Sequence, residues 1–172
     1  MFRLFLEMTM KHIVFVGCAL VILCASVGDV GAQLALRAGG GMIFENSQIG
    51  GHGSLVLPFS SKPGGVMIAA EYYKDSGVTT IPVSARGLYK ATVGAGSIYI
   101  GMGSGLIYRK VEGAATPDLS STKLLFSAVG GINLKLSGPL GLFGEVTMDR
   151  AFVSGDDNNL AAKAGISLTV SD

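Results

Sequence analysis

From Leu124 to Leu136 the sequence reads Leu-Leu-Phe-Ser-Ala-Val-Gly-Gly-Ile-Asn-Leu-Lys-Leu, so that Leu124, Phe126, Ala128, Ile132, Leu134 and Leu136 share one face of an extended chain. Ser127, Asn133 and Lys135 fall on the other. A period of two describes a strand with one apolar face and one mixed face, and does not describe an amphipathic helix. The same rhythm returns in segment after segment beyond Gln33, with the charges almost entirely opposite the large aliphatics. Strands that repeat an uncharged outer face suit a barrel set in lipid.

Composition agrees. Of 172 residues, 49% are hydrophobic and 15% charged, against roughly a quarter charged in soluble domains. The 26 glycines, unaccompanied by proline, which numbers 5, exclude a collagen repeat and a Pro/Gly-rich disordered linker. A net charge of +1 and no run of Lys or Arg leave no electrostatic footprint for nucleic acid.

The N-terminus reads as a signal peptide over residues 1–32. Arg3, Lys11 and His12 precede an apolar run from Ile13 to Ala25, and the small residues up to Ala32 suit signal-peptidase cleavage. The run is too short to span a bilayer. Glu7 is out of place in a basic leader, which points to translation starting at Met8 or Met10. Phe15-Val16-Gly17-Cys18 faintly resembles a lipobox, but cleavage there would cut the apolar run before it is complete. With Cys18 and Cys24 both in the leader, the exported chain from Gln33 to Asp172 has no thiol for a disulfide, a nucleophile or a metal.

Eight strands are expected: Leu34 to Glu45, Ile49 to Leu57, Val66 to Lys74, Thr79 to Lys90, Ser97 to Lys110, Leu124 to Leu136, Leu140 to Phe152 and Leu160 to Val170. Each is close to the roughly ten tilted residues that cross a bilayer. Pro82 fits its strand only where a ladder bond is absent. Glycines at 101, 103 and 105 keep the inward phase, leaving room for long side chains from other strands. With both termini periplasmic, Val111 to Thr122 is the longest external loop and the place where an external ligand would bind.

The exported chain resembles the small outer-membrane β-barrel domain family, of the OmpX and OmpA transmembrane type, most strongly over Gly94-Ala95-Gly96-Ser97-Ile98-Tyr99-Ile100-Gly101-Met102-Gly103-Ser104-Gly105-Leu106. The resemblance implies an all-β, eight-stranded antiparallel up-and-down transmembrane barrel with a filled polar interior, monomeric in a Gram-negative outer membrane. Its partners would be outer-membrane lipids and the assembly machinery. The chain departs from the family pattern in ending Leu168-Thr169-Val170-Ser171-Asp172 without a terminal aromatic residue, and in lacking tryptophan.

Arg37, Glu45, His52, Glu71, Arg86, Lys90, Arg109, Lys135, Glu145, Asp149 and Lys163 all phase inward. Eight strands enclose little more than side-chain volume, so these charges form a paired lumen network and not a conducting pore. A last hairpin centred near Asp156 would set Asp149 opposite Lys163, and Glu145 would lie beside Asn133.

His52 and Ser54 resemble the His-x-Ser pattern of outer-membrane lipid A deacylases. Their phase points them inward, away from the membrane face on which such an enzyme acts. Asp156-Asp157-Asn158-Asn159 lacks the ligand spacing of a calcium loop, and the glycine repeats are followed by neither Lys-Ser nor a helix, as a phosphate loop requires. No catalytic residue, metal or cofactor is expected. The reading is therefore a non-enzymatic outer-membrane barrel with a structural or surface-interaction role. Its alternatives are a secreted soluble β-barrel that binds a small ligand, with its apolar face turned inward, and more remotely a deacylase-like hydrolase using His52 and Ser54.

Overall fold

The computed structural model describes residues 34–59, 63–112, 119–151 and 158–170. The expected signal peptide lies outside them. Eight strands form in chain order: β1 (Leu34–Ile43), β2 (Gln48–Pro58), β3 (Gly64–Asp75), β4 (Val78–Val93), β5 (Gly96–Val111), β6 (Leu119–Ser137), β7 (Leu140–Ala151) and β8 (Asn158–Val170). Each pairs antiparallel with the next, and β8 pairs with β1 to close the barrel. One end carries Leu34 and Val170, the first and last strand residues, and is called here the termini end.

Every expected strand is present, and the differences have local causes. β6 starts at Leu119 because Leu119, Ser120, Ser121 and Thr122 pair with Val111, Lys110, Arg109 and Tyr108. Val111 to Thr122 is therefore not a loop throughout. These polar residues carry no apolar alternation, and a ladder of backbone hydrogen bonds needs none. Residues 113–118 lie outside the described set. The β3–β4 ladder runs in one register from Gly64–Tyr89 to Asp75–Val78, yet has no pairs between Ala70–Val83 and Tyr73–Thr80. Pro82, which has no N–H to donate, sits in that gap.

The β3–β4 hairpin closes through Ser76 and Gly77, at φ 45° and 82°. Two successive left-handed residues give the turn whose twist matches that of paired strands.

The alternation resolves into an inside and an outside. Ile49, Ile100 and Leu124 are 70%, 66% and 64% exposed, whereas Arg86 is 1% exposed. Most of the large aliphatics point away from the barrel, and most of the charges into it. A soluble barrel would have these faces exchanged.

A single inward row crosses the whole barrel: Ala35, Val56, Met67, Arg86, Gly103, Ser127, Asp149 and Asn159 are successive ladder partners. Asn159 lies beyond Ala161, the partner of Ile43, so the row returns to β1 about ten residues from its start, the stagger that tilts strands in a closed barrel. Within this row Gly103 separates Arg86 from Ser127. A Cβ there would stand 1.9 Å from the Ala85 carbonyl oxygen and 2.7 Å from Arg86 Cα, so only glycine lets β4 and β5 approach where the arginine crosses.

Gly103→Ala is expected to destabilise the barrel by about 1–3 kcal/mol, as overpacking does, whereas Gly130→Ala, with no atom within 4 Å of the added carbon, stays within about 0.5 kcal/mol of the parent. Urea unfolding in detergent micelles measures both. Equal effects at the two positions would contradict the close-approach argument.

Candidate functional site

Seven of the eleven inward-phased charges and histidines come together as a buried network: Arg37, His52, Glu71, Arg86, Glu145, Asp149 and Lys163. The cations Arg37, Arg86 and Lys163 match the carboxylates Glu71, Glu145 and Asp149 in number. Buried charge is tolerable only when paired and hydrogen-bonded.

The centre is Glu71 on β3. Lys163 Nζ donates to its Oε1, and Tyr73 Oη donates to Oε2 at 2.9 Å. Arg86 Nη2 lies 3.5 Å from Oε1 and His52 Nδ1 3.7 Å from it. Arg86 also donates through Nε to Ser127 Oγ at 2.7 Å, and Ser127 donates in turn to Asp149 Oδ1. Toward the termini end a second group forms around Glu145. Arg37 Nη1 donates to Glu145 Oε1 at 2.9 Å and to Tyr99 Oη at 2.8 Å, and Tyr99 donates to the same carboxylate oxygen at 2.8 Å. The Arg37 guanidinium carbon stands 4.7 Å from the Tyr99 ring centre.

Glycines on the intervening strands make this reach possible. Tyr99, Gly131, Glu145, Lys163, Gly41, Gly50 and Tyr73 form one ladder row. Tyr99 crosses Gly131 to reach Glu145, and a Cβ at 131 would meet the tyrosine Oη at 2.5 Å. Lys163 lies over Gly41, where a Cβ would meet its Cγ at 2.8 Å. Next to it run Phe143, Gly165, Gly39, His52 and Glu71, so the rings of Phe143 and His52, 5.6 Å apart, span two glycines. Gly101 serves an apolar neighbour instead, since its Cβ would meet Leu88 Cδ2 at 2.5 Å. Apolar clusters flank the polar layer: on β6, Ser127 falls between Leu125, packed with Ile107 and Ala151, and Val129, packed with Met67, Leu88 and Tyr99. Low-dielectric flanks strengthen hydrogen bonds that are made.

Four of the expected network members lie elsewhere. Glu45 sits beyond the end of β1, exposed, and accepts the Leu160 backbone N–H at 2.7 Å. Lys90 and Lys135 keep the inward phase but lie exposed at the termini end; Lys135 lines an open mouth of about 490 Å³ with Asn133, Gly141 and Ser167. Arg109 is half-buried at the opposite end with Lys123 and Asn159. Inward phase thus places a residue on the lumen side, and its height decides whether it meets the packed centre or a mouth.

Two expected pairings are corrected by register. Asp149 is opposite Asn159, and Lys163 is opposite Glu145, so the β7–β8 register lies four residues from the one expected. Glu145 faces Gly131, while Asn133 faces Phe143, a displacement of two residues that leaves both on the lumen side. Tyr73 and Tyr99 were legible as inward-facing, and their polar role was not. Each stands on a ladder row beside a glycine, the one sequence signal that their hydroxyls reach beyond the adjoining strand.

His52 Nε2 is 3.1 Å from Ser54 Oγ. Glu71 stands behind the imidazole, at 3.7 Å, too far for a hydrogen bond. Both oxygens of that carboxylate are already engaged by Lys163 and Tyr73. Serine, histidine and carboxylate are therefore in sequence, buried and facing the lumen.

No protein-family model matches the sequence, and no curated protein matches it. Solved structures do. The chain is similar to Neisserial surface protein A, with a TM-score of 0.62 at 12% identity over 80% of this chain and 96% of that one. It is also similar to the N-terminal β-barrel domain of Pseudomonas aeruginosa OprF, at 0.58 and 14% over 80% and 97%. The outer membrane enzyme PagL gives 0.54 and 12% over 79% and 99%. The fold is that of the small eight-stranded outer-membrane barrels.

Removing the central carboxylate leaves Lys163 and Arg86 facing each other without it. Glu71→Gln is expected to cost about 3–5 kcal/mol of unfolding free energy, and Glu71→Gln combined with Lys163→Met less than the sum of the two single changes. A double-mutant cycle in urea tests this, and strict additivity would mean that the two residues do not interact.

Proposed function

We propose that this chain is a non-enzymatic, monomeric integral outer-membrane barrel with a structural or surface-interaction role. Outer-membrane lipids cover its flank, and the outer-membrane assembly machinery inserts it. The observation that carries this reading is the inversion of the barrel: a continuous aliphatic exterior around an interior of ion pairs. Exposed aliphatic surface on this scale is untenable in water, while a closed ladder leaves no unpaired edge in hydrocarbon. Interaction with an external ligand would belong to the loop between β5 and β6, whose strand-flanking residues are Glu112 and Leu119.

Arg86, Tyr73, Met67 and Leu125 are fully buried in the interior, which supports a filled barrel over a porin-like channel. The experiment is membrane fractionation with electrophoresis of heated and unheated samples. The protein is expected in the outer-membrane fraction, migrating faster before heating than after. Recovery in the soluble periplasmic fraction would overturn the proposal.

The Ser54–His52–Glu71 alignment favours a hydrolase as the second reading. Its cost is access, because Ser54 and His52 are both buried and point away from lipid. Ser54→Ala and His52→Gln are expected to leave the acylation pattern of lipid A unchanged in mass spectra of cells producing the protein. Loss of a deacylated species in either variant would replace the first reading by the second.

A further inference from the structure

The outward face of the strands carries charge at three described positions, Lys74, Lys110 and Arg150. All are cations, and all lie toward the end opposite the termini. At the termini end the outward positions of the described strands are uncharged, among them Leu36, Tyr89, Leu134, Leu136, Leu168 and Val170.

Two of the cations belong to an ordered patch. Lys74 and Lys110 are both ladder partners of Thr79 on the strand between them, so their backbones stand two strand spacings apart, about 10 Å. Two residues closer to the barrel middle, Tyr72 and Tyr108 flank Ile81 in the same way; Tyr108 is its ladder partner, and Tyr72 faces it across the gap left by Pro82. The order Tyr-x-Lys occurs on both strands, at Tyr72–Lys74 and Tyr108–Lys110. A tyrosine ring settles at the boundary between hydrocarbon and headgroups, and a lysine beyond it extends its ammonium into the headgroup layer. Lys110 Nζ is also 3.5 Å from Glu112 Oε1, a partly exposed pair, and such pairs hold weakly.

We infer that Tyr72, Lys74, Tyr108 and Lys110 form a docking surface for a phosphate-bearing lipid headgroup in the leaflet around the end opposite the termini. This rests on the membrane reading above. Charge complementarity identifies the occupant: two ammonium groups, with Arg150 further around the wall and Glu112 beside Lys110 as the carboxylate at the patch edge, at the depth where lipid phosphates lie. The tyrosines fix that depth. The surface thereby distinguishes the two leaflets.

The test is the association of spin-labelled phosphatidic acid, relative to spin-labelled phosphatidylcholine, with the exported chain refolded in phosphatidylcholine vesicles. The parent is expected to select phosphatidic acid, and Lys74→Gln with Lys110→Gln to lose at least half of that preference. Lys90→Gln with Lys135→Gln removes the same charge from inward-phased positions at the other end and is expected to leave the preference intact. Heat-modifiable migration establishes that each variant is folded. An unchanged preference in the first variant, or equal losses in both, would overturn the inference while leaving the membrane reading in place. Failure of the parent to insert into phosphatidylcholine would overturn both.

Discussion

Glu71 engages Lys163 with one carboxylate oxygen and Tyr73 with the other, with Arg86 and His52 close behind. Lys163 is on β8 and Glu71 on β3, so this contact spans β1 and β2 and exists only when the barrel is closed. A charge that finds its partner only on closure ties pairing of β1 with β8 to the stability of the whole interior. Arg86 makes a comparable link from β4 to Ser127 on β6 and Asp149 on β7. The two carboxylates and two cations thus join strands around most of the circumference, without any apolar core of ordinary size.

The constraint that allows this is spatial. An eight-stranded barrel has an interior just wide enough for side chains to fill, and here glycines interrupt the ladder rows beside the largest of them. Tyr99 crosses Gly131, Arg86 crosses Gly103, and Lys163 crosses Gly41. The same glycines would weaken a strand in a soluble sheet by removing packing. In this interior they are replaced by the stems and rings of neighbours, and the backbone comes close enough for those neighbours to hydrogen-bond two or three strands away.

Alternation made the strands and the direction of every face legible, because a period of two needs no knowledge of partners. Leu124, Ile132 and Leu134 could be assigned outward, and Ser127 inward, from the sequence alone. Register was not legible to the same degree. Asp149 faces Asn159 and Glu145 faces Gly131, and slips by an even number of residues leave every side chain on its own face, so the hydrophobic pattern does not record them. Height along the barrel was equally hidden: Lys90 and Arg86 have the same phase, but one is exposed toward the termini end and the other lies in the packed centre. The Lys163–Glu71 pair joins residues 92 apart in sequence and follows from closure and stagger together, which no local pattern records.

The proposed inverted barrel sets its aliphatic exterior against hydrocarbon and keeps its ion pairs inside. Spin labels on single cysteines at Ile100→Cys, Val146→Cys and Ile132→Cys, in vesicle-inserted protein, report directly on the environment of three strands. Collisions with molecular oxygen are predicted to dominate over collisions with a water-soluble nickel complex at all three. Preferential access of the nickel complex at these positions would contradict the inverted barrel.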